Sequence, residues 1–165
     1  MVKLSADVRR IVMTSATQEA RRRGGRRVGT DHLLLGLLHD ADSTAARALG
    51  IDLAAARAAS HALDLAALAA VGVDVDVDVD VARLAEPPRR VLAPGLTLTS
   101  GARTVLKRSL EGARDAKARR IEPRHFLLAL LDRERPDPAA ELFDALGVDP
   151  AQVRRRLDEP GSGTA

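Results

Sequence analysis

The sequence predicts an all-α fold, a pseudo-two-fold pair of four-helix repeats with about eight helices in total. Hydrophobic residues make up 45% of the 165 residues but aromatic residues only 1%, so the core consists of Leu, Val, Ile and Ala, a mixture typical of packed helices. Outside residues 71–98, apolar residues recur at helical rather than alternating spacing. The segment from Val28 to Leu38 also recurs, with substitutions, from Ile121 to Leu131, at an offset of 93.

This repeat extends well beyond one segment. The same offset aligns Ala20 with Ala113, whereas Leu49–Asp52 matches Leu146–Asp149 at an offset of 97. The difference predicts four additional residues in the second connection, around Pro136 and Pro138. Agreement over separated blocks indicates two copies of one helical unit, each too small to bury its apolar face alone.

The first copy begins with a helix whose buried face contains Val8, Ile11, Val12, Ser15, Ala16 and Ala20. A second helix buries Leu33, Leu34, Leu37 and Leu38. Helix N-caps are predicted at Ser5, Thr30, Ser43 and Asp52, and helix ends at Gly24, Gly50 and Ala70.

The second copy begins at Thr99 or Ser100, and three prolines, Pro123, Pro138 and Pro150, occupy plausible first helical positions. We therefore predict a first repeat at 1–70, a Val-Asp and Pro-rich linker at 71–98, a second repeat at 99–158 and a disordered tail at 159–165, forming one compact domain. The alternating Val73–Val81 segment lacks the glycine and closing glutamate of a calcium loop.

The composition and the absence of several sequence motifs argue against several classes of function. The chain has no cysteine, no apolar signal core and no run approaching the roughly 18 apolar residues of a membrane span, so a cytoplasmic, non-membrane protein is expected. No phosphate-binding loop, nucleophile elbow or zinc-protease motif is present, so we expect neither an enzyme nor a cofactor. His32 and His39 lie near one helical face but do not make a metal site; His32 and His125 recur at equivalent positions and are interpreted as structural.

The start of the second helix, Val28-Gly29-Thr30-Asp31, is the strongest candidate binding site. A glycine there lets a ligand approach the backbone, and exposed N–H groups attract anions. A carboxylate beside them can bind a guanidinium group in bidentate fashion. The alternative is that Thr30 and Asp31 simply cap the helix and bind nothing.

The residues Gly29-Thr30-Asp31-His32-Leu33-Leu34-Leu35-Gly36-Leu37-Leu38 resemble the N-terminal domain of Clp unfoldases, most closely of the ClpC type. The resemblance covers roughly residues 4–70 and 96–158. It implies a helical fold that binds adaptors and substrates and delivers them to a Clp ATPase. It also implies that the acidic residue of each repeat, here Asp31, belongs to a phosphoarginine pocket and engages the guanidinium.

The second copy departs from that pattern. Pro123 replaces threonine and Arg124 replaces the acid, and Glu122 projects from a different turn position. Arg124 would repel a guanidinium but attract a phosphate. The resemblance therefore implies one competent pocket, or none, with Glu122 and Arg124 in a degenerate second pocket.

The leading hypothesis is a stand-alone Clp N-domain-like protein without ATPase modules, an adaptor or decoy in Clp-dependent proteolysis. Its partners would be a Clp ATPase, an adaptor or a degron, with phosphoarginine or Clp-targeting cyclic peptides as possible small ligands. The alternative is a basic nucleic-acid-binding helical protein, suggested by the arginine clusters and by a net charge of +3. A third hypothesis is a structural or oligomerising module.

Overall fold

The computed structural model describes residues 2–72 and 97–159. Its helices are α1 (Ala6–Arg10), α2 (Ala16–Arg22), α3 (Thr30–Leu37), α4 (Thr44–Leu49), α5 (Leu53–Ala70), α6 (Ser100–Asp115), α7 (Pro123–Leu131), α8 (Pro138–Ala145) and α9 (Pro150–Asp158). A π-helical segment, Ile11–Ser15, joins α1 and α2 into one continuous helix. The described residues thus contain two sets of four helices, which confirms the predicted all-α class and repeat architecture. The alternating Val-Asp segment and the tail after Glu159 lie outside the described residues.

Two very short parallel strand pairs connect the repeats. Strand β1 (Lys3–Leu4) pairs with β4 (Arg120–Ile121), with Lys3 opposite Arg120. Strand β2 (Arg27–Val28) pairs with β3 (Thr97–Leu98), with Val28 opposite Leu98. Thr97 and Leu98 are the last two residues of the predicted linker. The sequence did not predict these strands, because two residues are too few to show an alternating pattern.

The core lies between α3 of the first repeat and α7 of the second. Every residue of α3 is buried, and Phe126 and Leu127 of α7 are fully enclosed. The predicted apolar faces of the continuous α1–α2 helix and of α3 are all buried, as expected. Within the described part of the chain no helix is long and apolar enough to cross a membrane.

Local capping explains most helix boundaries. The side chains of Ser5, Ser43, Asp52 and Thr99 each accept a backbone N–H three residues later, which confirms three predicted N-caps and shows that Thr99, one of the two predicted starting residues, begins the second copy. Gly50 and Gly147 both adopt φ +66° at helix ends, a left-handed conformation that costs glycine little. Pro123, Pro138 and Pro150 all occupy first helical positions, as predicted.

The prediction that four additional residues enter the second connection is wrong. From the N-cap Ser43 to Gly50 is seven residues (50 − 43), whereas from the N-cap Asp137 to Gly147 is ten (147 − 137). Three of the four additional residues therefore lie in α8 and in the short segment between its end and Gly147. Counted from the N-caps, the added residues are 144–146, and the apolar Leu146 among them packs against the core, so a longer helix is favoured over a longer loop.

The π-helical segment marks a one-residue difference between the repeats. The N-caps Ser5 and Thr99 are 94 residues apart, whereas the helix ends Arg22 and Asp115 are 93 apart. The first repeat thus contains one more residue in this helix, and a π turn accommodates such an insertion without ending the helix.

Candidate binding sites at two helix starts

The start of α3 is capped differently from the prediction. Gly29, not Thr30, is the N-cap, and the Gly29 N–H donates to Nδ1 of His32 at 3.0 Å. Thr30 is instead the first helical residue, and its Oγ1 donates to Oδ1 of Asp137 at 2.6 Å. The predicted Thr30 cap is wrong because a histidine ring in the first turn caps the helix, while a carboxylate of the second repeat takes the threonine hydroxyl.

Thr30 lies inside the contact between the repeats and is only 1% exposed. Its Oγ1 also accepts the Ala139 N–H at 3.2 Å, and the second oxygen of Asp137 accepts from Nε of Arg133 at 2.9 Å. A Cβ added to Gly101 would lie 3.2 Å from the Thr30 methyl group and 3.1 Å from Asp137 Oδ2. This packed network holds the start of α3 against α8, and Gly101 leaves room for the two to meet.

Asp31 faces a different environment from Thr30. Its Oδ2 accepts from Nη1 of Arg23 at 2.5 Å, and Nη2 of the same guanidinium donates to Asp64 on α5. Gly29 and Thr30 line a cleft of about 710 Å³ between the repeats, whereas Val28 and Asp31 do not. The structure therefore separates the four residues of the predicted first pocket: Gly29 and Thr30 lie in a cleft wall, Asp31 in an internal ion pair and Val28 in the core.

The start of α7 is the pseudo-symmetric counterpart and is far more open. The Glu122 N–H donates to Nδ1 of His125 at 3.1 Å, the same cap as in the first repeat. Glu122 and Arg124 are both exposed, and Nη2 of Arg124 lies 3.7 Å from Oδ1 of Asp158. Both residues of the predicted second pocket, together with Pro123, line a cleft of about 1180 Å³.

This larger cleft is acidic although the whole chain is basic. It runs between the starts of α1 and α7, the loop before α4 and the end of α9. Six carboxylates line it against three arginines: Asp7, Asp40, Asp42, Glu122, Asp158 and Glu159 against Arg10, Arg120 and Arg124. Because the chain carries a net charge of +3, the cleft has the opposite sign to the molecule as a whole. The arrangement suits a cationic ligand.

Both capping histidines have the structural role that the repeat predicted. Burial lowers the pKa of His32 and of His125 below the ordinary value of 6.5. The neutral ring is the form that leaves Nδ1 free to accept a backbone N–H. No group of three or more His, Cys, Asp or Glu in residues 2–72 and 97–159 is arranged to hold a metal ion.

Sequence reasoning missed a buried ion-pair cluster in the first repeat. Glu19 is 2% exposed, accepts from His39 Nε2 at 2.6 Å and receives Nη2 of Arg57 at 2.6 Å. Burial alone would raise the pKa of Glu19, but the hydrogen bonds from His39 and Arg57 outweigh it and hold that pKa at about 2. One signal was available, since Glu19 follows the helical spacing of the buried face at Ser15 and Ala16.

Comparison with known proteins agrees with this architecture. A model of the Clp repeat (R) N-terminal domain family matches residues 3–72 and 97–162, one range for each repeat. The chain belongs to this family. The N-terminal domain of the caseinolytic protease associated chaperone ClpD from Arabidopsis thaliana has the same fold, with a TM-score of 0.67 over 94% of both chains at 19% identity.

Individual relatives are Clp chaperones and Clp protease subunits. The chloroplastic chaperone protein ClpC2 of Oryza sativa subsp. japonica is 33% identical over 149 residues, or 88% of this chain. The chloroplastic ClpA homolog, an ATP-dependent Clp protease ATP-binding subunit of Brassica napus, is also 33% identical over 149 residues. The chain spans only 14% of the length of each of these relatives. The resemblance seen in the sequence is thus confirmed as membership of the Clp repeat N-terminal domain family.

Proposed function

We propose that this chain is a non-enzymatic module of cytoplasmic Clp-dependent proteolysis that binds a cationic segment of a protein partner in the acidic cleft between its repeats. The observation that carries the proposal is the charge of that cleft, six carboxylates against three arginines on a chain of net charge +3. Membership of the Clp repeat family supports a protein or peptide as the ligand. The partner would be a Clp ATPase, an adaptor or a degron.

The carboxylates of the cleft are available to a partner. The side chains of Asp7, Asp40 and Asp158 are 58%, 47% and 75% exposed. Arg10 lies between Asp7 and Asp40, at 3.1 Å and 3.5 Å, and so neutralises only part of this charge. Exposed pairs of this kind contribute little to stability and rearrange easily, so an incoming lysine or arginine can replace the internal partner.

The first experiment distinguishes an adaptor from a decoy. A ClpC-type ATPase with its protease degrades a fluorescent substrate in the presence or absence of this chain. An adaptor raises the degradation rate, whereas a decoy lowers the rate by competing for substrates or adaptors. No effect on the rate, together with no binding to the ATPase, the substrate or an adaptor, would contradict the proposal.

Charge reversal in the cleft supplies the matched variants. We expect Glu122→Lys with Asp158→Lys to weaken partner binding by about tenfold or more, since each removes an attraction and adds a repulsion. Asp132→Lys with Glu134→Lys makes the same change of charge in the smaller cleft and should leave binding unchanged. Equal losses from both variants would show that net charge, not the acidic cleft, determines binding.

The proposed function includes two small ligands, phosphoarginine and a Clp-targeting cyclic peptide. Phosphoarginine carries a phosphate that Arg124 would attract, while Asp31 already holds an internal guanidinium. Calorimetry with phosphoarginine on the native chain, Arg124→Ala and Asp31→Ala separates the two helix starts. Heat lost only in Arg124→Ala places the ligand at α7, and heat lost only in Asp31→Ala places it at α3. A Clp-targeting cyclic peptide is tested by the same titration, which measures its sequestration directly.

The nucleic-acid alternative has weaker support, because several arginines of the sequence clusters are engaged internally. Arg23 binds two carboxylates, Arg154 pairs with Asp132 at 2.6 Å, and Arg156 donates to the Ala48 carbonyl at 3.0 Å. Binding to DNA or RNA that falls steeply with salt would favour this alternative over a protein partner.

A further inference from the structure

Exposed cations are concentrated on the strand pair β1–β4 and on the loop that leads into β4. Lys3 of β1 lies directly opposite Arg120 of β4. The next residues on the two strands, Leu4 and Ile121, pack in the core, so Lys3 and Arg120 point away from it on one shared face. Neighbouring strands are about 4.8 Å apart, and like charges directly opposite one another at that spacing are unfavourable. The basic surface is defined by four exposed residues, Lys3, Lys117, Arg119 and Arg120.

Lys117 adds a second unfavourable feature to the basic surface. Its φ is 53°, and it is the one non-glycine residue with a positive φ within residues 2–72 and 97–159. The residue 93 positions earlier is Gly24, which has a φ of 72° at the matching helix end. A glycine adopts this left-handed conformation without a steric penalty, whereas a lysine is strained in it. The second repeat thus has a strained cation where the first has an unstrained glycine.

The corresponding surface of the first repeat carries less charge. Arg26 and Arg27 match Arg119 and Arg120 at the offset of 93, so both repeats begin the strand with two arginines. The residue opposite Arg27 is the uncharged Thr97, however, and no lysine lies at the preceding helix end. The additional cations are therefore specific to the second copy.

The cations of the basic surface gain no compensating ion pair from the described part of the chain. None of the four takes part in a salt bridge within residues 2–72 and 97–159. Local choices that weaken a fold without an internal gain are typical of functional sites. Because both choices concentrate positive charge at one place, they point to an anionic partner.

The surroundings of the basic surface favour an acidic protein segment over a nucleic acid. Phe126 and Phe143 are the two aromatic residues of the chain, and both are buried, so neither can stack on a base. Arg120 also lines the acidic cleft, whose six carboxylates would repel a phosphate backbone that continued past the basic surface. A short acidic segment can end before that cleft.

We infer that the basic surface is a docking site for an extended segment of a partner protein that is rich in Asp and Glu. Alternate side chains of an extended segment point to the same face, so its carboxylates can approach Lys3 and Arg120 together. The inference goes beyond the proposed function, because this ligand has the opposite charge to the ligand of the acidic cleft. Either can fail without the other, since the two peptides are titrated separately.

Fluorescence anisotropy with a labelled polyglutamate peptide tests the inference at physiological salt, where non-specific attraction is screened. We expect the native chain to bind the peptide, and Lys3→Ser with Arg120→Ser to weaken binding by about tenfold or more. Arg26→Ser with Arg27→Ser removes the same charge from the first repeat and should change binding by less than about twofold. No binding by the native chain, or equal losses in the two double variants, would overturn the inference.

Lys117→Gly separates a role in binding from a role in folding. We expect this variant to unfold at a higher temperature, because glycine relieves the strain, and yet to bind polyglutamate about threefold more weakly, because a cation is lost. Unchanged binding, or a lower unfolding temperature, would count against the inference. An oligothymidylate of equal charge is the nucleic-acid control, and its tighter binding at the same salt would overturn the assignment to an acidic protein segment.

Discussion

The two helix starts of this protein have the same backbone design but opposite accessibility. Both are capped by a histidine ring in the first turn, at 3.0 Å in α3 and 3.1 Å in α7. At α3 the side chains of Thr30 and Asp31 are satisfied by Asp137 and Arg23, whereas at α7 Arg124 is exposed beside the larger cleft. The two copies therefore share one scaffold, and the helix start that the fold leaves accessible, where we propose that a partner binds, is in the second copy.

The two repeats also differ in how closely the first helix of each repeat packs against the second. In the first repeat the helix lies so close to α3, directly after its π segment, that a Cβ added to Gly36 would lie 2.8 Å from the Ala16 nitrogen. The corresponding residue of the second repeat, 93 positions later, is Ala129, and α6 contains no π turn. The first copy is thus the more tightly interlocked, and it also contains the buried Glu19 cluster.

Among substitutions that test this difference, one at Glu19 should have the largest effect on the free energy of unfolding. Glu19→Gln keeps the shape but removes the charge that holds His39 and Arg57, so we expect a loss of about 3 kcal/mol in the free energy of unfolding. Asp132→Asn is the control, since Asp132 lies 93 positions after His39 and makes an exposed pair with Arg154. That variant should cost less than about 0.5 kcal/mol in urea unfolding.

The same cluster predicts how stability depends on acid pH. The pKa of Glu19 is about 2 in the folded protein, below its ordinary value of 4.5, so its contribution is fully present above pH 4.5 and is lost as pH falls toward 2. About 3 kcal/mol should disappear over that window. Unfolding measured at several pH values should show a much smaller loss for Glu19→Gln, and an identical pH profile for both proteins would contradict the assignment.

A substitution at Gly36 should have the next largest effect on stability. Gly36→Ala should destabilise the protein by about 2 kcal/mol, because the new methyl group overlaps the backbone of Ala16. In the second repeat, Gly112→Ala has nothing within 4 Å of its added Cβ and should stabilise α6 by about 0.5–1 kcal/mol. Thermal unfolding of the two variants should shift in opposite directions, and a stabilising Gly36→Ala would show that the helices separate easily.

Substituting Thr30 tests how much its contact with the second repeat contributes to stability. Thr30→Val keeps the shape but removes a buried hydrogen bond to Asp137, so a cost of about 1–2 kcal/mol is expected. Thr104→Val removes an exposed bond to the Ser100 carbonyl within α6 and should cost less than about 0.5 kcal/mol. Equal costs, measured by chemical unfolding, would mean that Thr30 does not join the repeats.

The smallest expected effect is the pH dependence of stability that arises from the two capping histidines, and both copies should show it. Because the pKa of His32 and of His125 is lowered by burial, the neutral caps contribute stability above pH 6.5 that declines as pH falls through the folded pKa values. NMR titration of both ring protons should give midpoints below 6.5. A midpoint above 6.5 for either ring would show that it does not accept the backbone N–H.

Much of the scaffold could be predicted because helix signals are local. Ser5, Ser43 and Asp52 are capping residues whose partners lie three positions away, and the prolines and glycines mark helix ends directly. The candidate site was less predictable, because its decisive contacts are distant in sequence. Thr30 bonds to a residue 107 positions away, and Arg23 bridges to one 41 positions away. Local chemistry indicated which residues carry charge and not which of them the fold leaves accessible.

Hydrogen exchange on the native chain with a lysine- and arginine-rich peptide shows directly whether a cationic partner binds at the second helix start rather than at the first. We expect slower amide exchange at the starts of α1 and α7 and at the end of α9, around Asp7, Glu122 and Asp158, with no change at Gly29–Asp31. Protection confined to Gly29–Asp31, with the acidic cleft unaffected, would contradict it.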